Sequence, residues 1–443
     1  MKSVRKYITN ISAFQFIQLL RFTTLFLLGV VFAHHYSKQE IGQYEVMLFI
    51  ASAVSFFWLS GILQTFLSLV KDDEPSTGNP AKSSHYFNGF VLLVCFSALT
   101  VLFLMIFRQQ VQGLLNGAKE IPYFNWLLAY LFLSSPSNLI EYLFLSKSKP
   151  NHIIVYGLVS YGLQFVFLTV PPLLNLPLEY SVIGLITISA LRFIFLLIIL
   201  RRYSRFDLSF PFLKEHIRLA YPLIFSSLLS GSGQYVDTAI VTHFFNTEMF
   251  AIFRYGAREF PLVIILSNSF SIALIPEFSK QSMADCLMKI KTNSLRLMHI
   301  LFPLTAVLII ASNGLFTFFF TDSFSLSAKI FNIYLLQIVF RLIFPETILI
   351  GKRITKIFLA VSFAEIVLNV TLSLYLVRLI GITGIVYGTF LANLFERFVL
   401  IAIVKHKLKV KIHEYIPVRW YLTYSTAILL VYYVVDFWLY PLS

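Results

Sequence analysis

The chain has 443 residues, 58% hydrophobic and 13% charged, with a mean hydropathy of +0.79 and a formal net charge of +14; soluble domains are roughly half apolar and a quarter charged. This excludes a soluble globular protein, and once a dozen spans of about 20 residues each are set aside no soluble domain is left over. The two cysteines, Cys95 in an apolar run and Cys286 in a basic loop, exclude a disulfide framework and a thiolate metal site.

Met1 to Asn10 carries Lys2, Arg5 and Lys6 ahead of an apolar run at 11–33. That run is long for a signal peptide and shows no small-residue cleavage site, so it reads as a first, retained span. Further apolar runs follow at 42–70, 84–107, 122–146, 152–171, 179–200, 218–242, 250–278, 295–320, 328–350, 354–379, 383–404 and 418–438, making thirteen spans. The second and eighth are longer than a bilayer needs and predict tilted or extended helices. With the N-terminus inside, 24 of the 35 lysines and arginines fall in the N-terminus and the inner loops, and only Lys38, Arg108, Lys119, Lys329 and Arg378 in the outer ones. Because Lys and Arg accumulate on the cytoplasmic side, a cytoplasmic N-terminus is expected. The positive charge is then an anchoring signal, and no nucleic-acid partner is expected.

Internal symmetry follows from the same pass. His34, Tyr36, Ile41, Gly42 and Tyr44 match His243, Phe245, Phe250, Ala251 and Phe253 in residue class at an offset of 209. Glu141 to Lys147 (EYLFLSK) parallels Glu346 to Lys352 (ETILIGK) at an offset of 205, and Arg192-Phe193 parallels Arg397-Phe398 at the same offset. Six spans per repeat keep two halves parallel. The expected architecture is all-α and integral to the membrane: a six-helix lobe at 1–200, a connector at 201–215, and a second six-helix lobe at 216–404. A basic loop and one additional helix follow at 405–443.

Ionisable residues inside spans are expensive and mark function. The arginines are Arg21, Arg192, Arg254, Arg258, Arg341 and Arg397; the acids are Glu45, Asp237, Glu259, Glu277, Glu346, Glu365 and Glu396. The arginine surplus points to an anionic cargo. Arg21, in mid-span, is the first candidate to bind it, against a structural ion pair. Arg254 and Arg258 are four apart and so share a helical face; they either bind cargo with Arg341 or pair with Asp237 or Glu259. Asp237 and Glu365 are candidates for a proton or Na⁺, or for ion pairs. Arg192 and Arg397 read as snorkelling side chains, and Glu141 and Glu346 as lobe-closing contacts. No metal site or cofactor is expected. The nine histidines are scattered, no hydrolase, zinc or phosphate-loop motif occurs, and the outer loops are short, so no enzyme is expected.

The segments YSKQEIGQYEVMLFI, YVDTAIVTHFF, FAIFRYGAREFPLVIILSNSFSIALIPEFSK and GITGIVYGTFLAN resemble the O-antigen and polysaccharide-unit flippases of the multidrug/oligosaccharidyl-lipid/polysaccharide (MOP) exporter superfamily, over the chain to about Val404. The resemblance matches Asp237 to a recurrent aspartate of the seventh span and Pro276-Glu277 to the proline–acid pair closing the eighth. It implies two MATE-like bundles around a V-shaped cavity and an undecaprenyl-pyrophosphate-linked oligosaccharide as cargo. That cargo would turn from inner to outer leaflet of a bacterial inner membrane by alternating access. The implied partners are membrane lipids and the polymerase and glycosyltransferases of the same pathway, and the implied state is a monomer. A MATE-like multidrug or cation antiporter shares the fold, and a membrane polymerase or glycosyltransferase is the enzymatic alternative.

Overall fold

The computed structural model describes residues 10–71, 83–115, 120–258, 260–279, 281–352 and 354–439. Their architecture is helical, with one isolated bridge between Ser83 and Ser204. In chain order the first helices are α1 (Asn10–His35), α2 (Lys38–Ala53), α3 (Phe56–Lys71), α4 (Ser84–Ile106), α5 (Arg108–Gly113), α6 (Phe124–Ser137), α7 (Leu139–Ser146), α8 (Pro150–Leu173) and α9 (Leu178–Tyr203). Then come α10 (Phe210–Phe244), α11 (Thr247–Gly256), α12 (Pro261–Leu274), α13 (Met283–Phe320), α14 (Ser325–Leu335), α15 (Ile338–Arg341), α16 (Pro345–Gly351), α17 (Thr355–Ile380), α18 (Ile382–Leu408), α19 (Ile412–Tyr415) and α20 (Val418–Tyr433). The chain divides into two compact units, residues 1–231 with 242–251, and residues 232–241 with 252–443.

Nine helices among the described residues are long and apolar enough to cross a membrane, and α2 with α3, bent by 50°, makes a tenth candidate. Three of the thirteen expected spans take another form. The 122–146 run is divided at Asn138, just after Pro136 removes a backbone donor, into α6 and α7. The 218–242 run lies inside the 35-residue α10, where the stretch from Ser226 to Gln234, rich in serine and glycine, lowers its hydropathy. The 250–278 run breaks between Gly256 and Pro261: Phe260 takes an extended conformation ahead of the proline, as sterics require. The outward side chains suit lipid; Leu99, Ile106, Val155, Leu158 and Ile198 are each more than 45% exposed on long helices.

In the first unit α1 packs along α8, α8 on α9, and α6 on α9 and α4. Its core gathers Ala13, Ile17, Trp58, Phe66, Leu93, Leu143 and Tyr161. The crossing of α1 and α8 is tight at Gly157, where a Cβ would fall 2.5 Å from Ile17 Cγ1. One turn further along each helix stand Arg21 and Tyr161, so this contact sets their separation.

The second unit is organised by the α17–α18 hairpin. Gly381 (φ 67°) turns the chain between them. Along α18, Gly384 and Gly388 let the backbones approach: Cβ atoms there would lie 2.3 Å from Leu376 O and 2.7 Å from Ser373 N. Gly388→Ala is therefore expected to destabilise the protein by about 1–3 kcal/mol through overpacking; thermal unfolding in detergent at the wild-type temperature would refute this. The C-terminal helix α20 packs on α13. His299 Nδ1 lies 2.6 Å from Tyr424 Oη, Phe302 stacks on Tyr424, and Asp436, 3% exposed, pairs with Lys329 at 3.3 Å.

Candidate functional site

Two polar clusters lie within the apolar helices, one in each unit. In the first unit, Arg21 of α1 pairs through Nη2 with Glu141 Oε1 of α7 at 2.9 Å and donates through Nε to Tyr161 Oη of α8 at 2.6 Å. Tyr161 in turn donates to Glu141 Oε1 at 3.3 Å. Arg192 of α9 approaches the same ring: its Cζ is 5.0 Å from the Tyr161 centroid, and that of Arg21 is 5.5 Å. Arg192 donates to Ser160 Oγ (2.6 Å), to Ser160 O (3.2 Å) and to Gln164 Oε1 (2.7 Å), all neutral acceptors. Two guanidinium groups therefore share one tyrosine ring while the carboxylate pairs with Arg21 alone, and the formal charge of Arg21, Arg192 and Glu141 together is +1. The Arg21 side chain is 35% exposed while Glu141 is 6% exposed, so the arginine is the accessible member of the pair.

In the second unit the balance is acidic. Asp237 of α10 is 1% exposed, and its Oδ2 accepts hydrogen bonds from Thr389 (2.6 Å) and Tyr334 (2.9 Å). Asn369 Oδ1 accepts from Ser373 at 2.9 Å, and Ser373 Oγ also lies 3.1 Å from Ile385 O. Thr389 Oγ1, 3.4 Å from Asn369 Oδ1, connects the two sets. A carboxylate among hydroxyl, amide and carbonyl oxygens is the ligand chemistry of a hard cation. Glu365 of α17 lies within electrostatic reach of Asp237, Glu396 and Arg397. It makes no hydrogen bond or ion pair among the described residues. Arg397 pairs with Glu346 and lies 4.0 Å from Glu396, which accepts from Ser362 at 3.0 Å.

The sequence-derived candidates thus separate. Arg21 stands in the first cluster, and Asp237 and Glu365 in the second. Arg254 and Arg258 do not share a helical face: α11 ends at Gly256, and Arg258 lies beyond it, its amide bonded to Gly256 O at 2.7 Å. There Arg258 Nε reaches Arg254 O at 3.4 Å, and its Cζ lies 5.6 Å from the Tyr255 ring. Arg341 closes the short α15, within electrostatic reach of Glu346. Glu259 lies outside the described residues. Glu141 and Glu346, expected to close the lobes, each pair inside their own unit.

Sequence reasoning passed over Tyr161, Asn369, Ser373 and Thr389. Asn369 and Ser373 are four residues apart in α17, the spacing that puts two polar groups on one face. Thr389 follows directly on Gly388, one of the two glycines at which α18 approaches the α17 backbone.

A family model described as polysaccharide biosynthesis protein matches residues 31–329. No curated protein sequence matches. Among solved structures, lipid II flippase MurJ in its inward closed conformation is similar with a TM-score of 0.67 at 17% identity, covering 95% of this chain and 92% of that one. An inward-facing multidrug resistance MATE family transporter of the MOP superfamily gives 0.60 at 12% identity, covering 92% and 94%. A MOP superfamily transporter from Pyrococcus furiosus Vc1 gives 0.57 at 12% identity, covering 96% and 95%. The chain has the fold of these transporters.

Proposed function

Because the chain belongs to the polysaccharide biosynthesis protein family, we propose that it is a flippase. Its cargo is an undecaprenyl-pyrophosphate-linked oligosaccharide, an O-antigen or capsule repeat unit, moved from inner to outer leaflet of a bacterial inner membrane. The N-terminus is cytoplasmic, and the chain acts as a monomer alongside the glycosyltransferases and polymerase of the same pathway. The observation that carries this reading is the unbalanced charge of the first unit, where Arg21 and Arg192 face one Tyr161 ring and, among the described residues, one carboxylate, Glu141, pairs with Arg21 while Arg192 keeps neutral partners.

A pyrophosphate brings the acceptor oxygens that this arrangement lacks. The Arg21 fork can release Glu141 and take phosphate oxygens in charge-assisted hydrogen bonds, replacing the hydration of the head group. The polyprenyl tail stays in lipid throughout, so the protein need only shelter the charged and sugar portions. Alternating access then exposes the head group on the other side. No bond is made or broken, and protonation or Na⁺ binding at Asp237 or Glu365 supplies the drive.

The test is a vesicle assay: purified protein reconstituted with a fluorescent undecaprenyl-pyrophosphate oligosaccharide, whose outward arrival is read by a membrane-impermeant quencher. Protein-dependent arrival is expected; arrival no faster than in protein-free vesicles sinks the proposal. The surplus of the acids Asp237, Glu365, Glu396 and Glu346 over Arg397 and Arg341 favours a second reading, a cation antiporter of the MATE type. Ion-driven efflux of an organic cation dye, with no movement of the oligosaccharide lipid, would select it.

A further inference from the structure

The first unit also gathers cations where two of its apolar helices end, away from the Arg21 cluster. The turn between α7 and α8 holds Ser148 in left-handed backbone, φ 51°. The amides of Ser148 and Lys149 bond back to Leu145 O (3.1 Å) and Phe144 O (3.0 Å). This reversal brings Lys147 and Lys149 to a single ring, that of Tyr203 at the end of α9, with Nζ atoms 4.9 and 4.8 Å from its centroid. Lys149 also donates to Tyr203 Oη at 3.0 Å, Lys147 lies 5.0 Å from the Tyr86 ring, and Arg202 Cζ is 5.5 Å from the Tyr203 centroid. Tyr203 is itself held in place: its carbonyl accepts from Ser83 N at 3.2 Å, and Arg205 N returns a bond to Ser83 O at 3.2 Å.

Three cations surround one phenol ring, and none of them makes an ion pair among the described residues. Asp207, on the same stretch, pairs with Arg205 at 3.4 Å. Burial and the neighbouring Lys149 pull the Lys147 ammonium below the usual lysine range. Like charges so placed repel unless an anion joins them. The repeat shows that helix packing does not demand this arrangement: at the offset of 205, Lys147 has its counterpart in Lys352, but Lys149 corresponds to Ile354 and Tyr203 to Leu408. The position points to a lipid ligand. Lys147 directly follows an apolar run and Tyr203 closes the membrane-length helix 178–203, the level at which head groups meet tyrosine and lysine.

We propose that Lys147, Lys149 and Arg202 around Tyr203 form a binding site for the anionic phosphate head group of a membrane lipid. Two sources carry that chemistry, an acidic phospholipid of the surrounding leaflet and a polyprenyl diphosphate. The site does not depend on the flippase reading.

Native mass spectrometry of the full-length protein in detergent tests it, with phosphatidylglycerol, zwitterionic phosphatidylcholine or undecaprenyl diphosphate added. The wild type is expected to retain at least one anionic lipid in preference to phosphatidylcholine. Lys147→Gln with Lys149→Gln should weaken that retention roughly 30-fold, while Lys147→Arg with Lys149→Arg should keep it. Equal weakening for both anionic lipids assigns the site to the leaflet lipid, and weakening confined to undecaprenyl diphosphate assigns it to the polyprenyl carrier. Retention unchanged in the glutamine variant, or no preference of the wild type over phosphatidylcholine, overturns the proposal. Arg21→Gln should leave the retention of phosphatidylglycerol intact, so failure here and failure of the flippase reading are separable.

Discussion

Arg21→Gln is expected to slow the flipping of a pyrophosphate-linked oligosaccharide about 10–100-fold, because each charge-assisted hydrogen bond from a guanidinium to a phosphate oxygen contributes about 1.5–3 kcal/mol. The single variant has a second consequence. Glu141, 5% exposed, would keep, among the described residues, only the Tyr161 hydroxyl at 3.3 Å. Removing one partner of a buried pair costs about 3–5 kcal/mol, and the cost here lies toward or below the lower end because Arg21, at 35% exposed, is partly screened. Loss of transport by Arg21→Gln alone would thus mix binding with folding. Adding Glu141→Gln separates them, since a neutral amide still accepts from Tyr161 and needs no counter-charge. The double variant should unfold near the wild-type temperature and still fail to transport. Wild-type flipping by that variant would show that Arg21 serves only to neutralise Glu141.

The membrane class and the helical fold were legible because hydropathy over some 20 residues is a strong signal, and Asp237, Glu365 and Arg21 stood out because charges within apolar runs are rare. What the sequence did not disclose depends on which helices touch. The Glu–Arg spacing recurs at 141/192 and 346/397, yet only the second pair closes on itself. In the first unit Arg21, whose counterpart at the 205 offset is Ser226, takes Glu141 and leaves Arg192 with neutral partners. No periodicity along α7 or α9 reports the arrival of a residue from α1. The shared face of Arg254 and Arg258 failed for a local reason: their spacing of four implies one only if the helix continues, and α11 stops at Gly256, ahead of Arg258. Asn369 and Thr389 were hidden differently, as ordinary polar residues whose importance comes from the close approach of α17 and α18 at Gly384 and Gly388.

Asp237→Asn is expected to abolish ion stimulation of transport while leaving the fold in place. Asparagine is nearly isosteric and keeps an oxygen to accept from Thr389 and Tyr334, so the unfolding temperature should move little. The charge that would attract a proton or Na⁺ among the oxygens of Thr389, Asn369 and Ser373 is gone. A coupling free energy of about 1–3 kcal/mol corresponds to roughly 5–150-fold stimulation by the driving ion, and in the variant that ratio should fall to about one. Measuring it with Na⁺ replaced by K⁺ at fixed pH, and again with a pH gradient in Na⁺-free buffer, identifies the ion. Glu365→Gln is the discriminating control. Glu365 makes no hydrogen bond among the described residues and lies within electrostatic reach of Asp237 and Glu396, so a site centred on Asp237 loses only a neighbouring charge when it is neutralised. Stimulation that survives Asp237→Asn and disappears with Glu365→Gln would move the coupling site from α10 to α17. Survival in both variants would remove this acidic cluster from the drive altogether.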